Sequence, residues 1–138
     1  MNQRLVEIMN KELRLLELLL NLLEEQYNLL VVKDKDVVKI SQISEKIDEN
    51  VKEIASLEID KRNILGQKSL KEIVLSSNNE EVKNVYNQTL QLLDRVAMQK
   101  DTNNSFIKQQ LFFTKSMIRA ITPRRNAEVY DNSGKIRK

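Results

Sequence analysis

The side chains of this 138-residue chain that could transfer protons or bind metals are carboxylates and amines, because the sequence has no histidine and no cysteine. Neighbouring acidic residues occur at Glu24–Glu25, Asp48–Glu49 and Glu80–Glu81. Adjacent residues on a helix point about 100° apart, so these pairs do not converge on one substrate. General acid–base catalysis needs convergent groups in a pocket that excludes water. The chain also lacks a glycine-rich phosphate loop. We therefore expect no enzymatic activity, no cofactor and no metal site.

The elements that position these side chains are long helices. Two glycines and one proline are the only strong helix breakers, and Gly66 and Pro123 each follow a periodic run. A hydrophobic fraction of 41% with 31% charged and 4% aromatic residues is typical of helical bundles and coiled coils. We predict an all-α protein, an elongated antiparallel bundle or coiled coil of three long helices. A short extra helix and a flexible C-terminal tail complete the prediction.

The first predicted helix spans residues 2–32. Its apolar residues repeat with alternating spacings of 4 and 3, the pattern of a heptad seam. The residues of this seam are Met9, Leu13, Leu16, Leu20, Leu23, Tyr27 and Leu30. A second apolar stripe beside it consists of Leu15, Leu19, Leu22 and Leu29. Two adjacent stripes indicate a helix that contacts two neighbours.

The second long helix is predicted over residues 36–65. The charged residues 33–36 follow the first helix, and Asp34 or Asp36 could cap the second. A turn this short favours an antiparallel hairpin of the two helices. The seam of the second helix is apolar except at Asn50 and Lys61, which are polar interruptions.

The end of the second helix and a short helix over residues 69–75 are marked by local signals. Gly66 is expected to close the second helix with a left-handed backbone conformation. Ser69 and Glu72 form a capping-box pattern before an apolar run.

The last long helix is predicted over residues 79–122. Residues 99–105 are all polar, so two heptad layers in its middle have no apolar residue. One interpretation is a solvated stretch where the neighbouring helices end. The other is a division between a structural part, residues 79–98, and a working part, residues 106–121.

The apolar residues of the working part form the strongest candidate for a binding surface. They cover an arc of roughly 160° on a helical wheel. These residues are Phe106, Ile107, Leu111, Phe113, Met117, Ile118 and Ile121. The arc could pack on the hairpin of the first two helices, or part of it could bind an amphipathic helix of a partner. Phe112 lies outside the arc among basic residues, as a single surface aromatic or as a contact for a second surface.

The net charge of +3 comes from the last residues of the chain. Residues 1–122 contain 18 basic and 18 acidic residues, whereas residues 123–138 contain five basic and two acidic ones. A neutral body argues against a nucleic-acid-binding face along the helices. Charged residues such as Arg4 and Glu7 interrupt the N-terminus, so no export signal is predicted. Charges within Leu13–Val32 argue against a membrane-spanning helix.

The pattern along the chain resembles the FlgN-type flagellar export chaperones. The shared features are a leucine-dense first helix, a second helix rich in Lys, Glu and Ile, a long last helix and a Tyr-Asp-x-x-Gly tail. The most specific segment is Tyr130-Asp131-Asn132-Ser133-Gly134. The resemblance covers nearly the whole chain, and its helical part is generic.

The resemblance implies a cytoplasmic bacterial protein of the type III flagellar export system. Such a chaperone binds the C-terminal helical segments of hook-associated (hook–filament junction) proteins and escorts them to the export gate. We predict that the apolar residues of 106–121 bind this cargo. The resemblance implies that Tyr130, in the motif with Asp131 and Gly134, engages the gate. The competing hypothesis is a homo-oligomeric coiled-coil scaffold whose apolar stripes are covered by self-association.

Overall fold

The computed structural model describes residues 1–121, and at Phe113, Thr114 and Ile121 it describes the backbone alone. These residues form four α-helices and no strand, which confirms the predicted all-α class. The helices are α1 (Gln3–Val31), α2 (Val37–Leu65), α3 (Leu70–Ser76) and α4 (Glu80–Ile121). The predicted tail, residues 123–138, lies outside the described residues, so its flexibility and its separation from a domain of residues 1–122 stay predictions.

The chain divides into two compact units, residues 1–103 and residues 104–138. The first unit contains α1, α2, α3 and the part of α4 that ends at Asn103. The described part of the second unit is the remainder of α4.

Helix α1 supplies most of the core of the first unit. It begins at the Asn2 cap, whose Oδ1 accepts a hydrogen bond from the Leu5 amide at 3.1 Å. Eleven of its residues are buried, and of these five belong to the predicted seam and two, Leu19 and Leu22, to the second stripe. A helix in contact with a single neighbour buries one face, so this extent of burial reflects contacts on two sides.

Helices α1 and α2 form an antiparallel hairpin. Of the two candidate caps, Asp36 is the one that accepts a hydrogen bond from the Lys39 amide, at 3.1 Å. The direction of α2 follows from its contacts with α1, because Asn50 donates to the Leu15 carbonyl while the later Lys61 reaches the earlier Glu12.

The end of α2 agrees with the predicted signals. Gly66 has a φ of 60°, and its amide donates to the Arg62 carbonyl at 2.9 Å. This positive φ favours glycine even though a Cβ at this position would meet no atom within 4 Å. Helix α3 then begins with the Ser69 hydroxyl accepting from the Glu72 amide at 3.4 Å.

The first part of α4 runs parallel to α1 and buries its own apolar seam against it. Val82 packs in a cluster with Leu5 and Met9, whereas Leu92 and Val96 pack ten or more residues further along α4 with later residues of α1. The α1 residues of that second cluster are Leu16, Leu19, Leu20 and Leu23. Helix α1 therefore lies against both α2 and α4 in the first unit.

Candidate docking surfaces

The predicted cargo-binding residues lie on the part of α4 that belongs to the second unit. Phe106 and Ile107 are half-buried, whereas Leu111, Met117 and Ile118 are exposed by 56%, 50% and 53%. Phe113 and Ile121 lie on the same helix, and their side chains are outside the described set. Apolar side chains therefore meet solvent along much of this segment. The predicted gate-docking residues Tyr130, Asp131 and Gly134 lie outside the described residues.

Phe112 is the most exposed aromatic residue among those whose side chains are described in residues 1–121, with 75% of its surface accessible. Lys108, Lys115 and Arg119 occur three to seven positions from it on the same helix and are also exposed. Residues at spacings of three, four and seven share one helix face, so Phe112 lies on a basic face.

Asn103, in the polar stretch of α4, is only 1% exposed. The interpretation of this stretch as solvated is therefore wrong at Asn103. Its Nδ2 donates to the Leu23 carbonyl and to Gln26 Oε1, both at 2.8 Å. Its Oδ1 accepts from Gln99 Nε2 at 3.0 Å. Asn103 follows Val96 by seven residues, so it occupies the same face of α4 as the apolar seam. The polar heptad layer is thus a buried amide network at the end of the first unit.

Asn103→Ala is expected to lower the free energy of unfolding by about 2–3 kcal/mol, because it leaves the buried Gln26 oxygen without its donor. Asn104→Ala, at the exposed neighbouring position, is the matched control and should change stability by less than about 0.5 kcal/mol. Urea unfolding followed by circular dichroism measures both. Equal effects of the two substitutions would contradict the structural role of the network.

Lys61, which with Asn50 interrupts the apolar seam of α2, belongs to a buried ionic cluster. Lys61 Nζ lies 3.2 Å from Glu12 Oε2 and 2.6 Å from Glu58 Oε1. The Glu12 and Lys61 side chains are only 5% and 14% exposed, while Glu58 is 35% exposed. Two carboxylates thus share one ammonium group between α1 and α2.

The cluster changes the protonation of its members. Burial, together with a hydrogen bond to Glu58, raises the pKa of Glu12 from 4.5 to about 7, and the charge of Lys61 opposes this only in part. Burial also acts to raise the pKa of Glu58, but hydrogen bonds to Glu12 and Lys61 outweigh it and hold that pKa below 4.5. For Lys61, burial acts to lower the pKa, and its bonds to the carboxylates outweigh burial and raise it.

The pKa of Glu12 predicts a pH-dependent stability. Because the folded pKa of about 7 exceeds the ordinary value of 4.5, Glu12 loses its proton more readily in the unfolded chain. Its contribution to stability is therefore present below pH 4.5 and is lost between pH 4.5 and 7, by about 3 kcal/mol. Glu12→Gln, which imitates the protonated acid, should remove this loss.

Chemical unfolding of the parent chain and Glu12→Gln at pH 5 and pH 8 measures the effect. The free energy of the variant should rise relative to the parent between these two pH values. The titrating groups outside the cluster are common to both chains and cancel in the difference, and in the parent Glu58 and Lys61 titrate below and above this pH range. A difference that does not change with pH would show that Glu12 keeps an ordinary pKa in the folded protein.

A groove lies over this cluster in the first unit, with a volume of about 410 Å³. It is lined by residues of all four helices: Met9, Glu12, Ile54, Glu58, Lys61, Leu70, Tyr86, Thr89, Leu90 and Leu93. Leu90 and Leu93 are 46% and 43% exposed. Sequence reasoning missed the groove. Its signal in the sequence is a run of apolar residues spaced by 4 and 3 along α4, namely Tyr86, Leu90 and Leu93.

None of the helices within residues 1–121 has an apolar stretch long enough to cross a bilayer. The part of the chain with described side chains contains no group of three or more acidic residues arranged to hold a metal ion.

Comparison with known protein families gives a match over the full length of the chain. The family model described as "FlgN protein" matches residues 1–138, so the match includes both units and the segment beyond α4. No curated protein and no solved structure matched significantly. A family match over the whole chain is much stronger than the resemblance of a five-residue tail motif. The chain therefore belongs to the FlgN family of flagellar chaperones.

Proposed function

We propose that this protein is a cytoplasmic chaperone of flagellar type III export that binds the C-terminal helical segments of hook-associated proteins. The chaperone prevents premature assembly of the hook-associated proteins and delivers them to the export gate. The observation that carries the proposal is the exposed apolar surface of α4, where Leu111, Met117 and Ile118 are each at least half accessible. Membership of the FlgN family supports the flagellar role.

The binding mechanism is the covering of one amphipathic helix by another. Segments that form helices in an assembled filament carry apolar faces, and a chaperone that covers these faces blocks premature contacts. Full burial of one large apolar side chain contributes about 1.5–3 kcal/mol. Four such anchors on residues 106–121, each fully buried, contribute up to about 12 kcal/mol, which leaves about 8 kcal/mol, or micromolar binding, after an association cost of about 4 kcal/mol.

The competing function is a homo-oligomeric scaffold. The observation that favours it is the exposure of Leu90 and Leu93 in the first unit, since a second copy could cover them. Solution mass by light scattering, with and without a peptide of the cargo C-terminus, separates the two functions. A chaperone forms a complex of defined stoichiometry with the peptide. A scaffold has the same mass in both samples, and that result would overturn the chaperone proposal. Neither function requires a nucleic acid or membrane insertion.

Delivery is assigned to the tail, with Tyr130, Asp131 and Gly134 as the contacts for the gate. Tyr130→Ala is expected to leave the affinity for the cargo peptide unchanged and to lower secretion of the cargo at least several-fold, because one aromatic ring supplies much of a short motif's contact area. Affinity is measured by calorimetry and secretion by immunoblotting of culture supernatants. Asn132→Ala, in the same segment, is the control. Unchanged secretion with Tyr130→Ala would refute the docking role.

A further inference from the structure

The groove of the first unit is bounded by two helices that both pack on α1. Met9 and Glu12 of α1 form its floor, and Ile54 of α2 faces it from one side. Leu90 and Leu93 of α4 form the other side. Each wall extends over two helical turns, which is about 10 Å along its axis. The groove therefore has the form left when one helix is removed from a four-helix arrangement.

The lining combines apolar side chains with an uneven set of charges. Glu12 and Glu58 are carboxylates, and Lys61 is the single cation among the lining residues. Lys61 is already within 3.3 Å of both carboxylates, so its ammonium group is fully used within the cluster. Above pH 7, where both acids are ionised, the lining has one unit of negative charge in excess. Burial and the hydrogen bond to Glu58 raise the pKa of Glu12 to about 7, so below that pH Glu12 is mostly neutral and the excess is lost.

We propose that this groove is a second docking surface, which binds an amphipathic partner helix carrying one lysine or arginine within its apolar face. The apolar residues of the helix would pack between Ile54 and Leu93, and its cation would pair with Glu58, the more exposed carboxylate of the cluster. This surface is additional to residues 106–121 and does not depend on the proposed function.

The charge of the lining selects a cationic helix over a purely apolar one. A purely apolar helix would cover Glu58 and withdraw water from it while supplying no hydrogen-bond donor in addition to Lys61, which is costly for a carboxylate that is now 35% exposed. A helix with an acidic residue at the same position would add to the negative charge. A cation forms a charge-assisted hydrogen bond and removes the excess.

Three fluorescein-labelled 14-residue peptides test the proposal. Each is a helix-forming sequence with leucine at the a and d positions, and its central a position is lysine, norleucine or glutamate. Fluorescence anisotropy measures binding to the full chain. The lysine peptide is expected to bind about tenfold more tightly than the norleucine peptide, because a charge-assisted hydrogen bond corresponds to at least this factor. The glutamate peptide should bind most weakly.

Variants locate the binding surface. Leu90→Gln combined with Leu93→Gln should weaken binding of the lysine peptide at least tenfold. Ile59→Gln should have no effect, because Ile59 is an exposed apolar residue that does not line the groove. Glu58→Gln should reduce the affinity for the lysine peptide to that for the norleucine peptide. Circular dichroism checks folding, and Glu58→Gln keeps the test open if the leucine variant is destabilised.

Three results would overturn the proposal. The first is equal affinity for the lysine and norleucine peptides, and the second is binding that the Leu90 and Leu93 substitutions do not change. The third is a dimeric parent chain that these substitutions convert to a monomer, which would make a second copy the occupant. Neither result affects the cargo test on residues 106–121, because Leu111, Met117 and Ile118 do not line the groove.

Discussion

Replacing Leu111, Met117 and Ile118 together with glutamine is expected to abolish binding of the cargo peptide. All three side chains are at least half exposed, so the substitutions remove apolar contact area without opening a core. If each anchor contributes about 1.5 kcal/mol, the lower end for burial of a large apolar side chain, the loss exceeds a thousandfold in affinity. Calorimetry with a peptide of the C-terminal segment of a hook–filament junction protein measures this change.

The matched control removes the same number of exposed apolar residues elsewhere. Ile59, Leu75 and Met98 are 58%, 59% and 71% exposed, and their replacement with glutamine should leave cargo affinity unchanged. If both triple variants bind the peptide as the parent does, residues 106–121 are not the cargo surface. Loss of α-helical content in the first variant would show that the segment is needed for folding, and would contradict its assignment as an exposed binding face.

Lys61→Met is expected to produce the largest loss of stability among single substitutions in the ionic cluster. It leaves Glu12, with a side chain only 5% exposed, without its cation. Removing one partner of a buried ion pair costs about 3–5 kcal/mol. For a chain of this size, we expect the melting temperature to fall by about 10 °C or more at pH 8. Differential scanning calorimetry provides the measurement.

A second substitution separates charge from packing. Glu12→Gln in the Lys61→Met background removes the unpaired charge and should restore most of the stability. The loss caused by Lys61→Met alone should also be smaller at pH 5, where Glu12 is protonated. Lys52→Met, at an exposed position of α2, should have little effect at either pH. If Glu12→Gln fails to rescue stability, the cost comes from packing of the lysine side chain and the proposed electrostatic role is wrong.

Much of the helical architecture could be predicted from residues with local effects. Asp36 and Ser69 cap helices through hydrogen bonds that reach only three residues along the chain, so their roles are visible in the sequence. Gly66 supplies a positive φ that other residues rarely adopt. The two leucine stripes of α1 indicated two neighbours because apolar faces are buried wherever helices meet.

The polar residues within the seams could not be interpreted in the same way. Asn50, Lys61 and Asn103 each interrupt a run of apolar residues, and a sequence does not show whether such a residue meets water or a partner. In the structure each makes a hydrogen bond with α1, from 35 to 80 residues away along the chain. Asn50 is satisfied only in part, since its buried Oδ1 has no hydrogen-bond partner within residues 1–121. Such pairs favour one alignment of the helices, because a shifted neighbour would leave a buried polar group unpaired.

The sequence alone determined the helical class, the approximate helical segments and the exclusion of histidine- or cysteine-based chemistry, because these depend on composition, on local hydrogen bonds and on the period of apolar residues. Its family resemblance also indicated the flagellar chaperones. Only the tertiary structure decided which polar residues are buried, why Glu12 has a raised pKa and where a groove lined by two acidic residues and one lysine opens beside Leu90 and Leu93. These properties arise from groups on different helices, and their energies depend on distances that exist only after the helices have packed.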